Sequence, residues 1–213
     1  MTHPGFFIVL EGPEGAGKST LAAGLVRRLR DLGQEPLLVR EPGGTPLAEA
    51  IRGSLLDPAL AHDGPTELLY FATARADLVS RVIHPALLAG KVVISDRFTL
   101  STEAYQIGGR GVRPELVRDV NMIATGGLQP DLTLVLDLTP DEGARRQAMA
   151  GKAADRLERE DGEFHRRVAE WYLRAAGPGI RHLDASRSTE EVLSAAWDQC
   201  RAMRPAAFPG TSR

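Results

Sequence analysis

Residues 12 to 19, Gly12-Pro13-Glu14-Gly15-Ala16-Gly17-Lys18-Ser19, fit the spacing G-x-x-x-x-G-K-[ST] and stand between an apolar run, Phe6 to Leu10, and a helical stretch beginning near Lys18. Glycines at such a turn let backbone N–H groups wrap an anion, and the helix that follows points its positive end at the same place. In this pattern the lysine reaches the β- and γ-phosphates of a nucleotide and the Ser19 hydroxyl meets Mg²⁺. The expected ATP cradle is therefore Gly12, Pro13, Glu14, Gly15, Ala16, Gly17, Lys18, Ser19 and Thr20.

The lysine is itself informative. Lys18, Lys91 and Lys152 are the only three lysines among 26 basic residues, so arginine serves almost everywhere that a surface cation is needed. A compact ammonium close to two phosphates differs chemically from a planar guanidinium, and biased composition does not explain where the remaining lysines fall.

Working outward, short apolar runs alternate with helical patterns. Phe6 to Leu10, Pro36 to Arg40, Lys91 to Ser95, Leu132 to Leu138 and Ile180 to Leu183 read as strands. Helices are expected from Lys18 to Gly33, over Pro46 to Leu56, Thr66 to Ala89, Ser101 to Tyr105, Pro114 to Thr125, Pro140 to Ala150, Glu163 to Ala176 and Thr189 to Met203. Five strands, apolar on both faces and separated by helices, predict an α/β fold: a doubly wound parallel sheet covered by helices on both sides. A chain of 213 residues suits one domain, with a frayed tail over 204–213.

Composition excludes several function classes. The net charge of −2 supplies no global field for nucleic acid, so no nucleic-acid partner is expected. A single cysteine, Cys200, rules out a disulfide framework or a thiolate zinc site within one chain, and it reads as a small buried apolar residue. His3, His62, His84, His165 and His182 are dispersed without metal-ligand spacing. No apolar run approaches the roughly 18 residues of a membrane span, and the N-terminus lacks a signal-peptide pattern, so a cytoplasmic protein without membrane association is expected.

In a doubly wound sheet ligands gather at the carboxyl ends of the strands. The first strand runs into Glu11 and the cradle, the second into Arg40-Glu41-Pro42-Gly43-Gly44, the third into Asp96-Arg97, and the fourth into Asp137. Asp96 and Asp137 both end an apolar run, the pattern of a carboxylate that orients hydrated Mg²⁺. Arg97 beside Asp96 favours Asp96, because an acceptor phosphate needs a cation there. Asp137, before Pro140, also reads as a turn or capping acid.

The order of cradle, Arg-Glu-Pro-Gly-Gly, Phe71-Ala72-Thr73-Ala74-Arg75, Asp96-Arg97-Phe98, Ala104-Tyr105-Gln106 and Asp155-Arg156-Leu157-Glu158 resembles the bacterial thymidylate kinase family, from Phe7 to about Trp197. The resemblance implies a P-loop nucleotide kinase that transfers the ATP γ-phosphoryl group to dTMP with Mg²⁺, as a homodimer. It places Phe71 on the thymine ring, Arg75 on a base carbonyl, and Thr102 and Gln106 at the polar edge. Arg97, Arg40 and Arg52 fall on the acceptor side, Tyr105 against the sugar, and Glu41 near sugar and metal. The implied metal set is Ser19, Asp96 and Glu41. Residues 145–159 resemble the lid that closes over ATP. Glu14 cannot stabilise negative charge on the transferring group, so a lid cation is expected to do so, with Lys152 first and Arg146 or Arg156 as alternatives. Phe98 departs from the Asp-Arg-Tyr that the motif usually carries. The rival readings are a P-loop kinase for another nucleotide and a nucleotide-dependent switch protein. The substrate-side motifs and the lack of a guanine-reading Asn-Lys-x-Asp segment disfavour the switch.

Overall fold

A computed structural model describes residues 3–151 and 155–209. Its centre is a sheet of five parallel strands, β1 (Phe6–Glu11), β2 (Leu37–Arg40), β3 (Val92–Asp96), β4 (Leu132–Asp137) and β5 (Ile180–Asp184), in the order β2-β3-β1-β4-β5. β1 is buried throughout, so its alternating side chains must satisfy two apolar layers. Phe6, Ile8 and Leu10 pack with Leu21, Leu25 and Leu29 of α1 (Lys18–Asp31) and with Trp197 and Cys200 near the C-terminus. Phe7 and Val9 pack on the opposite face with Leu78, Ile83 and Leu87. This is why the strands read as continuous apolar runs and not as alternating ones.

The remaining helices are α2 (Pro46–Leu56), α3 (Gly64–Leu78), α4 (His84–Leu88), α5 (Thr99–Thr102), α6 (Pro114–Thr125), α7 (Pro140–Ala150), α8 (Gly162–Leu173) and α9 (Thr189–Met203). Side-chain caps fix several starts: Thr45 accepts from the Ala48 amide, Asp63 from Thr66, Thr139 from Glu142, and Ser188 with Glu191 forms a capping box before α9.

Two segments differ from the periodic expectation. The long helix expected over Thr66 to Ala89 begins at Gly64 and passes through a π-helical stretch, Val79–Ile83, before α4. Pro85 lacks the N–H that an α-helix would direct to Arg81, and the wider turn relieves that defect. The helix expected over Ser101 to Tyr105 continues from α5 as a second π segment, Glu103–Gly109. Here Gly109 lies against Phe164 of α8, whose ring edge would be 2.4 Å from any Cβ at that position.

Of the tail expected to fray over 204–213, residues 210–213 lie outside the described residues. Arg204 to Pro209 is packed: Phe208 is fully buried, its ring 5.9 Å from Phe6 and 4.9 Å from Trp197, and Trp197 Nε1 donates to the Pro209 carbonyl. The aromatic ring supplies an anchor that the Pro and Gly content of the segment conceals.

Candidate active site

The cradle grows directly from β1. Gly12 takes φ 135°, and a Cβ there would stand 2.6 Å from the Leu136 carbonyl on β4. Gly15 takes φ 75°, and its Cβ would meet the Gly143 carbonyl of α7 at 2.5 Å. The loop therefore packs backbone-to-backbone on the first turns of α7, a contact that only glycine allows. Lys18 Nζ donates to the carbonyls of Gly12 (2.9 Å) and Pro13 (2.8 Å). Burial and the neighbouring Arg97 guanidinium push its ammonium down to about 8.

Ser19 Oγ donates to Asp96 Oδ2 at 2.7 Å, which joins the cradle to the end of β3. These hard oxygen donors both line the central cavity and suit Mg²⁺, which keeps most of its water and takes few protein ligands. Asp137 goes elsewhere: it accepts from His182 Nδ1 at 2.8 Å on the β4–β5 side.

Arg97 has φ 77°, in the left-handed region that a residue with a side chain occupies at a cost of about 1–2 kcal/mol. Its guanidinium pairs with Glu14 Oε1 (2.9 Å) and donates to Ser101 Oγ and Tyr172 Oη (both 3.0 Å). Tyr105 Oη donates to the other Glu14 oxygen. Burial alone would raise the Glu14 carboxyl, but Arg97, Lys18 and Tyr105 outweigh it and hold the carboxyl below its usual range. Behind them Glu11 is wholly buried, accepts from the Phe98 and Ser101 amides at 2.8 and 3.1 Å, and is raised by desolvation.

These groups open on one cavity of about 480 Å³. Glu14, Gly15, Gly17, Lys18, Ser19 and Thr20 form its phosphate side. Glu41, Arg52, Phe71, Tyr105 and Arg97 also line it, with Leu56 and Leu157 adding apolar surface. Glu41 is raised by burial against the opposing pull of Arg75, and its Oε1 has no partner among the described residues. Arg146 lines the cavity, donating to Glu142 (2.8 Å) and to the Ala185 carbonyl (3.0 Å), with Nη1 3.5 Å from the Gly15 carbonyl.

Several expected site residues stand outside the lining. Arg75 is 1% exposed and fully engaged: Nε donates to Glu41 (2.8 Å), Nη1 to Thr102 (2.8 Å) and Asn121 (2.7 Å), and Nη2 to the Phe98 carbonyl (2.9 Å). Thr102 is thereby turned to Arg75. Gln106 is buried and donates to Glu67 (2.7 Å). Arg40 lies on the surface, where it forks onto Glu49 with both distances 3.1 Å. Arg156 donates to Glu67 (2.6 Å) and to the Leu55 carbonyl (2.8 Å). For the arginines and Gln106 a carboxylate or carbonyl of the chain satisfies the group that was expected to face a ligand, and Thr102 is met by the Arg75 guanidinium. Lys152 lies outside the described residues.

Ser101 and Tyr172, which orient Arg97, were not singled out by the sequence. Asp155, Leu157 and Glu158, of the Asp155-Arg156-Leu157-Glu158 motif, bring the far end of the lid segment to the cavity. Tyr172 shows a burial period alone, so nothing in its spacing marks a hydroxyl aimed at an arginine.

A family model described as Thymidylate kinase matches residues 10–196. A protein named Thymidylate kinase from Synechococcus sp. is 49% identical over 211 residues, 96% of this chain and 98% of its own length. The like-named protein of Deinococcus radiodurans is 45% identical over 91% of this chain and 95% of its own. The chain belongs to the thymidylate kinase family. A like-named Pseudomonas putida protein, 50% identical over 194 residues, covers 88% of this chain. The thymidylate kinase family phosphorylates dTMP to dTDP with ATP. Phe98, which stands where the family motif usually carries Tyr, is fully buried and meets Phe7 edge-on at 5.0 Å, so the position is filled by core packing.

Proposed function

We propose that the chain transfers the γ-phosphoryl group of ATP to dTMP, with the donor held by the cradle and the acceptor between Arg97, Tyr105 and Phe71. The observation that carries this reading is the convergence of Lys18, Ser19, Asp96 and Arg97 on a cavity whose far wall is the aromatic and apolar set Phe71, Leu56 and Leu157. A phosphate needs the first set and a flat apolar base needs the second.

An oxygen of the dTMP phosphate attacks the γ-phosphorus. The bond from that phosphorus to the β–γ bridging oxygen breaks, and ADP leaves with the electron pair. The acceptor phosphate is ionised near neutral pH, so no strong general base is required, and catalysis consists of alignment and charge stabilisation. Lys18 exchanges its loop carbonyls for phosphate oxygens. Arg97 exchanges Glu14 for the acceptor phosphate, while Tyr105 keeps its body against the sugar. Ser19 and Asp96 would hold Mg²⁺, which would neutralise charge on the nucleotide. Arg146 is the described lid cation nearest the cradle, and Lys152 is the second candidate for stabilising the transferring group. Glu41, with its unpartnered Oε1, faces the sugar side.

We place the whole chain in one kinase domain with a lid over 145–159, acting in the cytoplasm as a homodimer. The exposed apolar residues Leu69 on α3 and Leu116 and Ile123 on α6, helices that pack on each other, support a self-association face.

The test is a panel of nucleoside monophosphates with ATP and Mg²⁺, read by product chromatography beside ATP consumption without acceptor. dTDP formation with little acceptor-independent hydrolysis is expected. Equal turnover of purine monophosphates, or hydrolysis indifferent to dTMP, overturns the reading.

A further inference from the structure

Glu67 sits in the first turn of α3 with no exposed surface, and its carboxylate gathers donors from three directions. Oε1 accepts from Gln106 Nε2 (2.7 Å) and Arg110 Nε (3.2 Å), and Oε2 accepts from Arg110 Nη2 (3.0 Å) and Arg156 Nη2 (2.6 Å). Arg110 continues to Glu160 at 2.6 Å and lies over the Phe164 ring. Arg156 continues to α2, its Nε donating to the Leu55 carbonyl and its amide to that of Leu56. The two arginines are thus balanced by Glu67 and Glu160, and one buried carboxylate ties α3, the π segment and residues 155–160 into a unit.

Each element that Glu67 ties also supplies a wall of the cavity. Phe71 follows Glu67 by one helical turn, Tyr105 precedes Gln106, Leu157 follows Arg156, and Leu56 ends α2. Glu67 itself does not line the cavity. The stem beyond the lid is folded by its own bonds as well, since Asp155 Oδ1 accepts from the Leu157 and Glu158 amides (both 3.0 Å). Those local bonds shape the turn without fixing where it stands. Its position against α3 comes from the Arg156–Glu67 pair, its neighbour Arg110 and the hook to α2.

We propose that Glu67 is a positioning residue for the acceptor half of the reaction, holding the lid stem, through Arg156, opposite Phe71 so that the dTMP pocket stands formed before the lid closes. This rests on the reading of the cavity as the dTMP site. A carboxylate only accepts hydrogen bonds, so Glu67 also turns the Gln106 amide with its NH₂ inward, and Gln106 Oε1 is left without a partner among the described residues.

Glu67→Gln keeps the shape and removes the charge that both guanidinium groups need. The expected result is a dTMP KM raised by roughly tenfold or more with the ATP KM much less changed, because none of the donors to the Glu67 carboxylate belongs to the cradle or α7. Glu67→Asp, which keeps the charge, should recover part of the loss. Hydrogen exchange at the Leu157 and Glu158 amides should accelerate in Glu67→Gln while amides of α1 and α9 keep their protection, a local response that general destabilisation would not give. If Glu67→Gln does not fold, Arg156→Gln severs the stem alone and should reproduce both the acceptor-selective KM effect and the exchange. If the variants raise both KM values alike, or neither, with the stem amides unmoved, the proposal is overturned. A wild-type protein that does not phosphorylate dTMP would instead overturn the functional reading beneath it.

Discussion

Replacing Arg75 by methionine keeps most of the side-chain volume and removes a charge that the fold has enclosed. Side-chain exposure is 1% for Arg75 and 4% for Glu41, and their closest approach is 2.7 Å. Removing one partner of such a pair leaves the other buried without compensation, which costs about 3–5 kcal/mol. Against a total stability of about 5–15 kcal/mol this is a large share. For a chain of this length each kcal/mol moves the thermal midpoint by about 2–4 °C, so Arg75→Met should lower Tm by roughly 6–20 °C. The penalty should also depend on pH. Glu41 is already raised by burial, and without Arg75 it rises further, so its protonation relieves the folded state as pH falls. The loss of Tm should therefore shrink on acidification, and Glu41→Gln in the Arg75→Met background should recover much of it at neutral pH. Circular dichroism melts over a pH series give both readouts. If Arg75→Met melts within about a degree of the wild type while the dTMP KM alone rises, the guanidinium serves the ligand and not the fold, and the reasoning fails.

Lys18, pushed down to about 8, should regain its proton when phosphates arrive, so ATP binding should take up protons near pH 8 and weaken as pH rises beyond it. Calorimetry in buffers of different ionisation heat measures this, and Lys18→Arg, charged throughout, should show no uptake. Gly143→Ala places a methyl group 2.5 Å from the Glu14 carbonyl, so the cradle must shift and the ATP KM should rise on the order of tenfold or more, with dTMP binding less affected. His182 faces Asp137 through Nδ1 and the Ala175 carbonyl through Nε2, both acceptors, so its surroundings favour the imidazolium form. Burial opposes that charge, but the two bonds outweigh it and raise the group above its usual value of 6.5. Its stabilising contribution is complete below the unfolded pKa and is lost as pH rises through the folded one, so denaturation midpoints of wild type and His182→Gln should converge in alkaline buffer.

What could be read in advance follows from where the physics is local. α2, α6, α7 and α9 occupy the residues their patterns predict because Pro at the first turn, or a capping Ser, defines the start within a few residues. The central strands β1, β3 and β4 were legible because a strand buried on both faces has almost no polar residue to disguise it. The π segments were not, since a helical period does not distinguish a four-residue from a five-residue hydrogen bond. Phe208 was hidden for a related reason: its partners, Phe6 and Trp197, lie on other elements, outside its own short segment. The cradle was visible because its glycines and lysine act within one turn, whereas the role of an arginine depends on which carboxylate the fold brings to it.

Three arginine–carboxylate pairings make that dependence explicit. Arg75 with Glu41 has side-chain exposures of 1% and 4%, Arg156 with Glu67 has 10% and 0%, and Arg97 with Glu14 has 16% and 19%. A phosphate that recruits a guanidinium must displace its carboxylate, and the carboxylate must then find water or another donor. For Glu41 displacement leaves a buried, unpaired charge, and for the wholly buried Glu67 it leaves as counter-charge only Arg110, a guanidinium already shared with Glu160. Glu14 lies at the cavity and retains Tyr105 and the nearby Lys18 ammonium when Arg97 leaves. The exchange is therefore inexpensive at Arg97 alone among these three. An acid within a phosphate cradle is then no contradiction: it holds the acceptor cation charged and aimed until the acceptor replaces it.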